Sequence, residues 1–400
     1  MTEIKQKKLG RAGLIAMVTV LGMAAPLSTD MYMPSLPKMA AYFGVPAVMV
    51  NLTLISFFMF MAVGMLVIGA ISDRSGRKKM LIWSLALYGA GSLCCVFSTS
   101  VYFMILVRII QGLGAGGMIS LSVAIIKDCF DGSTRATALA TVQSMSVIAP
   151  IASPVLGAII VQFTTWRAVF IVLTAIAVIC LILALLFEES LHEDEINDGG
   201  IRDSIKRIVV VARMKSFTPF LICVSFFSAP FMAYLAVASY TYEEYFGLSV
   251  TDFSIFFAIN ALTSVLGPLV YMKINGRVSP KATMWILIAI AIASAVSMFT
   301  VGKQSPVLFL CTMIPFSITN SYVRPFSTNI LLDQLKGDTG SASALLNFAH
   351  TMFGAAGMFA GSLPWATYID GIALTLGACA LLTIISWLII IKSKSISMKL

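Results

Sequence analysis

Four residues in this chain are expensive where they stand. Asp30, Arg108, Arg324 and His350 each interrupt a long apolar run. A charge held among apolar side chains at membrane depth costs at least about 2.5–3.5 kcal/mol, so such residues turn towards a cavity or a partner. Asp30 lies near one end of the first apolar run and Arg108 near the corresponding end of the fourth. At 1.5 Å per residue their expected depths agree to within about 5 Å. A carboxylate that can pair with an arginine, and release it on protonation, is a candidate proton-coupling pair. A permanent Asp30–Arg108 salt bridge, or a carboxylate wetted at the mouth, is the structural alternative. Arg324 sits beside Pro325, late in the tenth run. Its planar guanidinium suits a carboxylate or phosphate, and a structural arginine bonded to helix carbonyls is the other reading. Asn347 precedes His350 by three residues, which puts both on adjacent parts of one helix face.

The elements that must hold these residues follow from hydropathy. Of the 400 residues, 59% are hydrophobic and 11% charged, and the mean hydropathy is +0.95. Soluble domains carry about 25% charge, so a soluble globule is excluded. Apolar runs long enough to cross a bilayer as helix recur at 12–33, 47–71, 79–98, 102–126, 136–162, 168–187, 217–241, 253–275, 282–301, 306–332, 341–365 and 370–391. The expectation is an all-α integral membrane protein with twelve transmembrane helices. Residues 188–216 hold seven acids and five bases and form the one long polar segment. They divide the chain into a first six-helix bundle (1–187), a linker and a second bundle (217–400). The latter part of the linker, Asp203 to Lys215, suits an amphipathic helix at the membrane surface. Basic residues precede the first run, but no small-residue cleavage site follows it, so a retained helix is expected.

The net charge of +9 could suggest a nucleic-acid partner, but its placement argues against one. Twenty-two of the 27 lysines and arginines fall on the termini and on alternate loops, and three fall on the opposite loops. That asymmetry predicts both termini in the cytoplasm. The seven cysteines lie almost all inside apolar runs and lack metal-ligand spacing, so neither a metal site nor a disulfide framework is expected. No phosphate-binding loop of the G-x-x-x-x-G-K-[ST] type occurs, so ATP is not the expected energy source. No cofactor is expected beyond the proton as coupling ion. The expected partners are small molecules, protons and lipid, with a single chain as the working unit. Phenylalanine and methionine are abundant, as at Phe57–Met61. Most should pack or face lipid, and a minority, with Phe57 and Tyr234 as candidates, should line an adaptable substrate pocket.

Several segments have a recognisable order. Gly69-Ala-Ile-Ser-Asp-Arg-Ser-Gly-Arg-Lys-Lys79 resembles the loop 2–3 signature of the major facilitator superfamily, with Ile71 its soft departure. Gly276-Arg277 repeats Gly76-Arg77 at an offset of 200, as a decayed duplication of six helices would. The resemblance implies a conformational latch at Gly69, Asp73, Arg74, Gly76, Arg77 and Lys78, in which Asp73 can face a helix N-terminus. Leu106-Val-Arg-Ile-Ile-Gln-Gly-Leu-Gly-Ala115 is similar to the span-four motif of that superfamily, which implies a proton-transfer role for Arg108 and places Gln111, Gly112 and Gly114 in its helix-packing stripe. Ala149-Pro-Ile-Ala-Ser-Pro-Val-Leu-Gly157 resembles the span-five antiporter motif through Pro150, Pro154 and Gly157, with Ser153 where many members have glycine.

Pro26-Leu-Ser-Thr-Asp-Met-Tyr-Met-Pro34, with Pro37, resembles the drug:proton antiporters of the bicyclomycin- and chloramphenicol-resistance type. That resemblance implies two six-helix bundles, alternating access and export of small compounds against proton entry at a bacterial inner membrane. Arg324 has no counterpart in the pattern, which leaves room for an anionic or zwitterionic substrate such as a metallophore. A proton-coupled importer is the nearest rival, and the span-five motif speaks against it. An intramembrane hydrolase or a non-transporting sensor would be a different class. No nucleophile motif supports the first, and the intact loop signature disfavours the second.

Overall fold

The computed structural model describes residues 6–191, 200–334 and 339–393. Among them helices are the only regular elements. In chain order they are α1 Gly10–Gly22, α2 Ala24–Asp30, α3 Leu36–Phe43, α4 Ala47–Ser75, α5 Arg77–Val96, α6 Val101–Cys129, α7 Gly132–Phe163, α8 Trp166–Leu186, α9 Gly200–Ala212, α10 Thr218–Ser225, α11 Ser228–Tyr240, α12 Val250–Ser264, α13 Leu266–Ile274, α14 Pro280–Thr300, α15 Pro306–Asp333, α16 Thr339–Ser362 and α17 Tyr368–Lys392. The chain divides into two compact units, Met1–Ser204 and Ile205–Leu400.

Among the described residues, ten helices are long and apolar enough to span a membrane, or eleven when the bent first pair is one span. The remaining expected span is α16. It has spanning length at 24 residues, but glycine, serine, Asn347 and His350 dilute its apolar content. The first span is not straight. It bends by 45° between Gly22 and Ala24. Pro26 lacks the N–H that would bond the Gly22 carbonyl, and the ladder opens one turn before the proline. The seventh span is broken at Phe226–Phe227 and ends in a π-helical turn, Thr241–Tyr245, closed by the Phe246 N–H on the Thr241 carbonyl at 3.1 Å. The linker helix α9 starts three residues before the expected Asp203 and ends at Ala212.

Helix limits follow from local chemistry. Ser249 and Asp252 form a reciprocal capping box at the start of α12, and Ser279, Ser305 and Thr367 each cap a helix with a side-chain oxygen. Gly44 ends α3 in the left-handed region at φ 63°.

In the first unit the tightest packing joins α4, α5 and α6. A Cβ on Gly112 would stand 2.4 Å from the Phe57 carbonyl oxygen, and one on Gly116 2.1 Å from that of Met61. On the α5 side, a Cβ on Gly114 would lie 2.5 Å from the Tyr88 nitrogen. The glycine stripe therefore brings backbone against backbone and sets α6 as the spine of this bundle.

Candidate functional site

Arg108, on α6, is completely buried. Its Nη1 donates to Gln111 Oε1 at 2.7 Å and to the Ser28 carbonyl at 3.2 Å, and its Nε donates to the Thr53 carbonyl at 3.3 Å. The guanidinium carbon lies 4.3 Å from the centre of the Phe57 ring, 5.1 Å from Tyr32 and 5.9 Å from Phe170. Nη2 has no hydrogen-bond partner among the described residues. The cation is thus held by neutral oxygens and aromatic faces. Hydrogen bonds to a charged group contribute about 1.5–3 kcal/mol each, and a desolvated cation–π contact about 2 kcal/mol. Three such bonds and three rings offset the cost of a membrane-buried charge without any carboxylate.

The partners are braced in turn. Gln111 Nε2 donates to Ser92 Oγ at 2.8 Å, Ser28 and Tyr88 share a hydroxyl–hydroxyl bond of 2.7 Å, and Tyr32 and Thr53 share one of 2.8 Å. Side chains from α2, α4, α5 and α6 meet here because the glycine stripe lets those backbones approach. Ser84, Tyr88 and Ser92 recur every fourth residue on α5, a polar stripe legible in sequence that was not among the expected site residues.

The expected Asp30–Arg108 ion pair is absent. Asp30 is buried, and its Oδ1 accepts a hydrogen bond from Thr29 Oγ1 at 2.9 Å. No cation pairs with it among the described residues. The reason is azimuthal. Ser28, whose carbonyl takes Arg108, and Asp30 are two residues apart on one helix and so about 200° apart around its axis. Phe57 is also differently placed. Its ring is wholly buried against Arg108 rather than lining a pocket. Tyr234 is likewise fully buried, with its ring stacked on Phe257 at 6.0 Å, so it forms core rather than wall.

At the basic end of the first unit, Arg77 ion-pairs with Asp73 and, through Nε, with Asp128 Oδ2 at 2.8 Å; its Nη1 also donates to Ser72 Oγ at 2.6 Å. The carboxylate seated on a helix N-terminus is Glu189, not Asp73. Glu189 accepts the backbone N–H groups of Arg77 at 2.7 Å and Lys78 at 3.1 Å. Lys78 Nζ donates to the Leu185 carbonyl, and Arg74 is exposed. Gly69 faces Ser120 Oγ, 2.5 Å from where a Cβ would stand, and Gly76 breaks the chain between α4 and α5 at φ 92°. Asp128 and Glu189 were missed in sequence because each lies at a span end, about 50 and 110 residues from Arg77.

On α7, Pro150 and Pro154 lie inside the helix, Ser153 Oγ is buried without a partner among the described residues, and a Cβ on Gly157 would stand 2.1 Å from the Met31 carbonyl oxygen. The span-five segment is therefore pressed on the chain just past Asp30. In the second unit, His350 is 3% exposed and its Nε2 has no partner among the described residues, whereas Asn347 and Arg324 are exposed.

This arrangement has known relatives. Residues 18–358 match the model of the Major Facilitator Superfamily. The chain belongs to that superfamily. Its Major Facilitator Superfamily relatives include a bicyclomycin resistance protein homolog of Haemophilus influenzae, 24% identical over 375 residues, 92% of this chain and 93% of that one. The multidrug resistance protein MdtL of Klebsiella pneumoniae is 34% identical over 160 residues, 40% and 41% of the two chains. Among solved structures, the nucleoside transporter NupG shares the fold with a TM-score of 0.75 at 14% identity, covering 95% of this chain and all of that one. The protein is a multi-pass membrane transporter of the Major Facilitator Superfamily that moves small molecules, not an enzyme, and its relatives match the drug-antiporter resemblance carried by Pro26–Pro37.

Proposed function

We propose that this transporter exports small amphipathic compounds, including drugs, across a bacterial inner membrane in exchange for protons, with both termini in the cytoplasm. The observation that carries this reading is the separation of Asp30 from Arg108. Arg108 is held by neutral groups, and Asp30 is a buried carboxylate with no cation beside it among the described residues. The other acids of the first unit lie at its basic end or in the linker, so Asp30 is the one carboxylate at its depth. A proton entering from outside neutralises Asp30. Its release on the other side restores the charge, and the carboxylate alternates between two states while the substrate moves the other way.

Arg108 acts in this scheme by position. Its bond to the Ser28 carbonyl holds the short helix that also carries Asp30. The driving force is adequate. A potential of 100 mV supplies about 2.3 kcal/mol per charge and one pH unit about 1.36 kcal/mol. One proton per neutral substrate therefore sustains a gradient of a few hundredfold, roughly. The names of the relatives, bicyclomycin resistance and multidrug resistance, favour export over import.

The test is expression in a host lacking its own drug pumps, screened with cationic, neutral and anionic compounds, together with proton flux in proteoliposomes. Proton movement on substrate addition, opposite in direction to the substrate, is the expected result. Substrate movement that ignores an imposed pH gradient and potential overturns proton coupling.

A further inference from the structure

In the second unit, a cation and a buried ring nitrogen, each without a side-chain partner among the described residues, occur at one depth. Arg324 stands nine residues before the end of α15, and His350 eleven residues after the start of α16. The two helices are joined at those ends. At 1.5 Å per residue both side chains therefore sit about 14–17 Å from the shared connection. α15 and α16 pack on each other.

Arg324 makes no hydrogen bond or ion pair through its side chain among the described residues. Its carbonyl is occupied by the hydroxyls of Ser327 and Thr328, at 3.0 and 2.8 Å, which brace the turn beside Pro325. The helix positions one turn away on either side, Asn320, Ser321, Ser327 and Thr328, are all polar. A cation flanked by polar residues on an exposed helix face suits an aqueous cavity better than hydrocarbon. His350 Nε2, by contrast, is buried without a partner among the described residues, and an unsatisfied buried ring nitrogen costs free energy until something bonds it. Asn347, exposed one turn along α16, adds an amide on the same side of that helix.

We propose that Arg324, His350 and Asn347 form a subsite for an oxyanion, a carboxylate, sulfonate or phosphonate, on the transported compound. The guanidinium supplies charge and two parallel donors, the Asn347 amide a further donor at the rim, and His350 a donor from below. This deepens the efflux reading by naming a substrate class, and it rests on that reading only for the direction of transport.

The experiment uses the purified full-length protein with 2-naphthoate, 2-naphthalenesulfonate, 2-naphthamide and 2-naphthylmethylammonium. These share one ring system and differ in charge. Binding is read by thermal stabilisation in detergent, and transport by uptake into proteoliposomes. The two oxyanions are expected to stabilise the wild-type protein. Their affinity should fall about tenfold or more in Arg324→Gln and less in Arg324→Lys, which keeps the charge but loses the fork. The amide and the ammonium should be unaffected by either variant, and His350→Gln should weaken the oxyanions alone. No stabilisation of the wild type by either oxyanion, or equal loss for all four probes in Arg324→Gln with Arg324→Lys still folded, overturns the subsite. Oxyanion binding that depends on Arg324 with no probe transported upholds the subsite and removes the efflux reading. Transport of oxyanions unchanged by Arg324→Gln does the reverse.

Discussion

The carbonyl oxygen of Phe57 occupies the space next to Gly112, 2.4 Å from where a Cβ on that residue would stand. Phe57 in turn presents its ring to Arg108 at 4.3 Å. The missing side chain of one residue thus sets the distance between a buried cation and its aromatic face.

Gly112→Ala should therefore lower the melting temperature of the detergent-purified protein, at a cost of about 1–3 kcal/mol from overpacking, since a backbone oxygen cannot rotate away. It should also impair transport by displacing Phe57 from Arg108. Gly377→Ala, where nothing lies within 4 Å of the added atom, should leave the melting temperature unchanged or slightly raised. Equal effects of the two substitutions would show that close α4–α6 contact does not set the stability.

Arg108→Lys should fail despite keeping its charge. The guanidinium reaches oxygens on three helices at once through Nε and Nη1, and an ammonium on a flexible stem cannot reproduce that fork. Drug resistance conferred on a sensitive host should fall at least about tenfold. Phe57→Leu, which removes one ring from beneath the cation, should cost about 2 kcal/mol in thermal unfolding, with the hydrogen bonds retained.

Asp30→Asn should uncouple transport from the proton. The amide keeps size and hydrogen-bonding capacity, including acceptance from Thr29, but cannot alternate in charge. Substrate binding should persist, while drug accumulation driven by an imposed pH gradient in inverted vesicles falls to background. Undiminished gradient-driven accumulation would remove Asp30 from the coupling role.

Glu189→Gln should loosen the start of α5. The carboxylate accepts two N–H groups at a helix N-terminus, where a negative charge contributes about 0.3–1 kcal/mol beyond the hydrogen bonds themselves. Hydrogen exchange at Arg77 and Lys78 should quicken, with exchange at the Arg108 centre unchanged. Protection that stays the same at both would mean that the cap carries no stability.

The helices were legible because membrane burial demands long apolar runs, and Arg108 was legible because a charge among them is conspicuous. Its surroundings were not. Depth along a helix follows from counting residues, but direction around the axis does not. Asp30 therefore fell at the right height for Arg108 and on the wrong side. Residue type alone suggests a pocket for Phe57 and Tyr234, but it cannot distinguish a ring that lines a cavity from one packed beneath a cation or against Phe257. The bend after Gly22 is written in Pro26, which in sequence also belongs to a family pattern. Glu189 escaped because nothing local distinguishes it from the other acids of the linker.

The contacts made by residues 188–190 bear on how halves of such transporters can be exchanged. Glu188 is joined to Gln6 through both groups of the glutamine amide, Glu189 caps α5, and Ser190 reaches Asp128 at 3.5 Å. A chimera cut where the apolar run ends, at Phe187, would leave these three residues on the wrong parent. The splice that preserves the first half as a folding unit lies beyond Ser190, so recombinants should be joined within the acidic stretch that follows.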